Sequence, residues 1–244
     1  DIAGGAEALA GSDIQATIKS LYYFGAPASN MKISWSLYAN PGYFYAPGYE
    51  TGPSDTRWML PPWYYSGYGI GSYLAGGESE TAADGTLLIL VPYEEIAEHL
   101  TAGKAQYLTL EANLIEEGEY PVSARGTQTL HPERYYIGVD VEQWVGQAGR
   151  EMGFTIQTLD WAQKNAPNLS LRAVFSKVEW VEKAYNENGG TYDYEQVRTE
   201  IGSADFVTDA LGQARIAFTP PDAGVYELKV TGGNAITESL VWVS

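Results

Sequence analysis

The chain has 244 residues, 45% of them hydrophobic, which suits two folded domains of about 100–150 residues with a core each. Its net charge of −17 is shared, 15 acids and 5 bases in residues 1–131 and 16 and 9 in residues 132–244, which argues against nucleic acid or an anionic membrane as a partner. There is no cysteine for a disulfide, a thiolate metal site or a nucleophile, and no apolar run of about 18 residues that could form a transmembrane helix.

Residues 1–12 read as a linker. Ile14, Ala16, Ile18, Tyr22 and Phe24 then alternate with Gln15, Thr17 and Lys19, the period of a strand with one buried face. A turn at Gly25-Ala-Pro-Ala-Ser-Asn30 leads to a second alternating run, Met31–Tyr38, and the pair is expected to be joined by a tight antiparallel connection. Pro41–Gly77 follows, a loop with five prolines and eight glycines that holds ten Tyr, Phe and Trp residues. Next come Asp84-Gly85 with the strand Leu87–Val91, a polar stretch from Tyr93 to His99, the strand Tyr107–Ala112, a turn at Glu116-Glu-Gly-Glu119, and a closing strand around 122–129.

The same order then recurs. Phe154 and Ile156 open it, Asn165-Ala-Pro-Asn168 is the turn, and Leu171, Ala173 and Phe175 form the second run. A short polar counterpart of the loop, Glu182–Gln196, precedes Asp209–Gly212, the strands Ala214–Phe218 and Gly224–Val230, and a closing strand at Ser239–Val243. Each half thus carries roughly seven short strands with turn signals every 8–12 residues, the pattern of an all-β sandwich. The predicted organisation is a linker at 1–12 and sandwiches at 13–131 and 132–244, with the boundary near His131-Pro132.

Chemistry-bearing constellations are sparse. His99 and His131 lack metal-like spacing and read as surface or hinge residues. Gly67-Tyr-Gly-Ile-Gly71 lacks the spacing of a nucleotide loop, and no Gly-x-Ser-x-Gly elbow occurs. Glu94-Glu95 and Glu116-Glu117 are adjacent in sequence, whereas acid and base partners converge across a cleft. The sequon at Asn168-Leu-Ser170 and the Pro-rich Pro61-Pro-Trp-Tyr64 match common chance patterns. No catalytic residue, metal ligand or cofactor is expected.

The aromatic loop has two readings. In the first, its Tyr and Trp residues pack it onto its own sandwich, since so long a loop needs apolar anchors. In the second, Trp58, Trp63, Tyr64, Tyr65 and Tyr68 form a platform for glycans or a protein partner.

Tyr22-Tyr-Phe-Gly25-x-Pro27-x-x-Asn30-x-Lys32-x-x-Trp35-x-x-Tyr38, with Thr81-x-x-Asp84-Gly85, resembles the macroglobulin domains of bacterial alpha-2-macroglobulin-like proteins. So do Glu133-Arg-Tyr-Tyr-Ile-Gly138, Thr208-Asp-x-x-Gly212-x-Ala214-x-Ile216-x-Phe218 and Gly224-x-Tyr226-x-Leu228-x-Val230. The resemblance implies two seven-stranded, fibronectin-III-like antiparallel sandwiches within a larger endopeptidase inhibitor, periplasmic, secreted or anchored at the envelope. Such a protein offers a bait segment, changes shape when it is cut, and traps the protease; many use a Cys–Gln thioester, which this Cys-free chain cannot form. The start at Asp1 and the stop after a predicted strand read as marks of an excised piece. On that reading the two domains are non-catalytic scaffold, and their partners are other domains of the parent chain and the proteases that it traps.

Overall fold

The computed structural model describes residues 1–54, 70–115, 122–186 and 191–244, with backbone alone at 183–186 and 191–193. The chain is all-β apart from short helical turns, and its four sheets form two sandwich bodies. The first takes residues 1–43, 70–115 and 122–133; the second takes 44–54, 134–186 and 191–244.

In the first body a three-stranded sheet runs β1 (Ile2–Gly4), β3 (Ile14–Lys19), β7 (Thr86–Val91). The opposing five-stranded sheet runs β2 (Glu7–Leu9), β9 (Ser123–His131), β8 (Gln106–Leu114), β4 (Lys32–Pro41), β6 (Ser72–Glu80). In the second body a four-stranded sheet runs β15 (Gln213–Phe218), β12 (Met152–Asp160), β10 (Tyr135–Val141), β5 (Glu50–Thr51). It faces a five-stranded sheet of β11 (Val145–Gly146), β17 (Ala235–Val243), β16 (Gly224–Gly232), β13 (Ser170–Asn186), β14 (Thr191–Val207). The period-two pattern explains both cores. Ile14, Ile18, Ile33, Leu37, Ile89, Val91 and Leu108 fill the first, and Val139, Phe154, Ile156, Phe175, Leu228 and Val230 the second. Each such side chain contributes about 1.5–3 kcal/mol by leaving water.

Several sequence expectations need correction. The first strand stops at Lys19: Ser20 donates its N–H to Gly85 O, and the next residues turn back so that Leu21 bridges Pro27. Tyr22, Tyr23 and Phe24 therefore stand exposed on a turn that Gly25 closes at φ +87°, where Phe24 stacks on Tyr22 and meets Tyr23 edge-on. Nor is either Ala-Pro turn a hairpin. Each carries the chain from one sheet to the other, β3 to β4 and β12 to β13. Residues 72–77, read as the end of the loop, belong to β6, where Gly76 and Gly77 weaken the strand signal. Likewise residues 182–186 and 191–196, read as a polar counterpart of the loop, lengthen the paired strands β13 and β14 as far as Asn186↔Thr191. Tyr107 points outward and Gln106 and Leu108 inward, so the tyrosines of the two similar runs, Tyr107 and Tyr226, face opposite ways.

Candidate functional site

The long insertion was the one segment that sequence singled out for function. Trp58, Trp63, Tyr64, Tyr65 and Tyr68 lie outside the described residues. Its first part, residues 44–54, is described, and it forms a strap on the second body rather than on its own sandwich.

The strap is held in three ways. Phe44 stacks on Tyr136 with ring centroids 3.9 Å apart, and Ala46 is buried beside a turn that Gly48 closes at φ +82°. Glu50 and Thr51 then extend the four-stranded sheet against Val139 and Gly138. Gly138 permits this approach, because a Cβ there would lie 2.8 Å from the Cβ of Tyr49. Finally, Gly52 N–H donates to Thr237 Oγ1 (3.0 Å), Glu238 N–H to Gly52 O (3.1 Å) and Ser54 N–H to Glu238 Oε2 (3.1 Å). Glu238 is fixed from its other side by Lys229 Nζ at 2.9 Å. Burial pushes the Glu50 carboxyl up from its usual range, and the Ser239 hydroxyl offsets part of that rise. The strap thus joins an aromatic anchor, a two-residue ladder and a polar clasp, which suits holding rather than catalysis.

A second arrangement appears in both bodies, where the Ala-Pro crossing meets the crossing from β6 to β7 or from β14 to β15. Buried Thr81 donates its hydroxyl to Ala28 O (2.8 Å) and accepts from Met31 N–H (2.9 Å). Buried Thr208 accepts from Leu169 N–H at 2.9 Å, and Leu169 O accepts Thr208 N–H at 3.0 Å. Gly85 and Gly212 close the two turns at φ +76° and +73°, and a Cβ on either would strike a carbonyl, Ser20 O at 2.5 Å or Thr158 O at 2.9 Å. Asn30 and Asn168 hold the left-handed positions at +57° and +58°. Sequence alone marked these residues as turn formers and missed the threonine staple, because a buried Thr after a polar strand looks like surface.

Other candidates resolve into structure. Glu94 and Glu95 of the polar stretch stand in the first turn of the short helix α1 (Tyr93–Ile96). His131 is not a surface residue. It is 6% exposed at the end of β9, where burial holds its pKa below the usual imidazole value against the opposing pull of Glu7. Glu227, 2% exposed, is paired bidentately with Arg198 at 2.8 and 2.9 Å. Tyr226 donates to Asp222 O at 2.9 Å, fixing the corner before β16, and Gln106 reaches back to Thr101 O before β8. The first body keeps a cavity of ≈ 150 Å³ among Ile14, Leu37, Ile89, Leu108 and Leu110 beneath β1. Among the described residues no group of three or more His, Asp or Glu could hold a metal, and no helix is long and apolar enough to cross a membrane.

No family model matches the chain, and no curated protein matches it. Among solved structures, it is similar to Escherichia coli alpha-2-macroglobulin in its native conformation, with a TM-score of 0.66 and 15% identity over 100% of this chain and 16% of that one. Salmonella alpha-2-macroglobulin reacted with methylamine aligns with a TM-score of 0.64 and 15% identity, again over 100% and 16%. Escherichia coli alpha-2-macroglobulin activated by porcine elastase aligns with a TM-score of 0.63 and 17% identity over 100% and 21%. The chain has the fold of macroglobulin-type domains and spans about a sixth of the native structure it matches.

Proposed function

We propose that these two sandwiches are non-catalytic framework domains of a bacterial alpha-2-macroglobulin-like endopeptidase inhibitor. The observation that carries this reading is the similarity of 100% of this chain, both bodies included, to 16% of one bacterial alpha-2-macroglobulin chain. A lone sandwich fold would be weak support, since sandwiches host unrelated functions. Two sandwiches matched together over the full chain make a narrower match.

In this role the chain supplies position. The crossings stapled by Thr81 and Thr208 fix loop geometry in each body, and the strap buries apolar surface without presenting a reactive group. We read residues 13–131 and 132–244 as two copies of one domain. Bait, trapping surfaces and any thioester belong to other parts of the parent, which would work in the periplasm or outside the cell and contact these domains and the captured protease. Sequencing the complete reading frame tests the proposal. Further macroglobulin-like repeats are expected around this segment, and a frame without any would overturn it.

A further inference from the structure

Both bodies expose the strand that follows the stapled crossing, and they treat it differently. Among the described residues, β7 ends its sheet beyond β3 just as β15 ends its sheet beyond β12. In β15 the third residue, outward-facing Arg215, donates to both carboxylate oxygens of Glu142 at 2.7 and 3.0 Å and lies 3.6 Å from Glu151. Charge of that kind keeps a free edge from recruiting another strand. The third residue of β7 is Leu88, 63% exposed, and Leu90 is 50% exposed. Thr86-Leu-Leu-Ile-Leu-Val91 contains no charge, glycine or proline; on β3 the neutral Thr17 and Gln15 stand opposite Leu88 and Leu90, and the one charge of that row, Lys19, stands opposite Thr86 at the strand's start. A short, uncharged aliphatic edge of this kind is suited to strand addition.

We propose that β7 is a self-association edge, through which two copies of this chain pair antiparallel across a twofold axis. β7 meets its own chemical demand. Pairing centred on Ile89 sets Leu88 against the copy's Leu90 and Leu87 against its Val91, so each side chain from Leu87 to Val91 opposes an aliphatic one on the same face. Pro92, with no N–H, ends the ladder. The two three-stranded sheets then become one of six strands. So short an edge buries less than the roughly 1,200–2,000 Å² of stable complexes, so the dimer is weak. The −17 charge on each copy opposes it, and because the contact itself is uncharged, added salt strengthens it.

Sedimentation velocity of the chain from about 5 to 500 µM, at about 0.05 and 0.5 M NaCl, tests this. The expected result is a mass rising from 26.6 kDa toward twice that value with concentration, and rising further in the higher salt. Leu88→Lys/Leu90→Lys should stay monomeric throughout with unchanged circular dichroism, since β15 tolerates a cation at the matching place. Should that variant fold poorly, hydrogen exchange of the unaltered chain decides: β7 amides should gain protection with concentration, and β15 amides should not. A chain monomeric at every concentration in high salt, association undiminished in the folded double variant, or protection gained elsewhere than β7 would each overturn the proposal.

Discussion

Thr81 shows how much one hydroxyl can organise. It is 2% exposed, and its side chain serves Ala28 O and Met31 N–H where two crossing segments meet. Thr81→Val keeps the shape and removes both bonds, leaving a buried donor and acceptor bare, so urea unfolding should show a loss of about 1–3 kcal/mol. Thr86→Val, on the exposed side of the same turn, should cost less. Glu50 gives a pH signature. Burial raises its folded pKa above the unfolded value, so its contribution is full in acid and is lost as pH rises through the raised pKa. Glu50→Gln removes that dependence, and its melting temperature relative to the unaltered chain should climb between about pH 4 and 8. A difference that is flat across the range would contradict the assignment. Thr81 stands in the motif that carries the family resemblance, but neither its burial nor that of Glu50 is legible in sequence: burial of a polar group depends on contacts 50 or more positions away, and local pattern carries no trace of them.

At the scale of elements, alternation was legible wherever one face is buried and the other wet. β3, β4, β12 and β13 begin where their Ile, Leu and Phe residues alternate, and both Ala-Pro turns fall between the expected strands. Sheet membership was not legible, because a Gly/Pro/Asn turn can fold a hairpin or cross a sandwich with the same residues. β5 was invisible for a related reason. Two residues suffice for its ladder, and Phe44, Gly138 and Thr237 supply the rest. Gly138→Ala places a methyl against Tyr49 and should displace the strap, with the Gly52 and Ser54 amides exchanging at least about tenfold faster and β14 amides unaffected. Phe44→Ala should act in the same direction. Unchanged exchange at Gly52 in both variants would show that the strap is not held as described.

For the whole molecule, the macroglobulin resemblance was readable in sequence because turn motifs recur in order across the chain, and full-length structural similarity at 15% identity agrees with that fold. Within the chain, the repeated pattern rests mainly on residues with backbone duties, Gly85 and Gly212, Asn30 and Asn168. The aromatic platform proposed at 58–68 lies outside the described residues, and the described start of the insertion serves the second body. The framework role has its sharpest test in a protease assay with two substrates, one the size of casein and one a short chromogenic peptide. The complete parent polypeptide, mixed with an elastase-like endopeptidase, should protect the large substrate and leave peptide hydrolysis nearly intact, while this 244-residue chain alone slows neither. Inhibition by this chain alone, or a parent that leaves the cleavage of both substrates at full rate, would contradict a framework role in a protease trap.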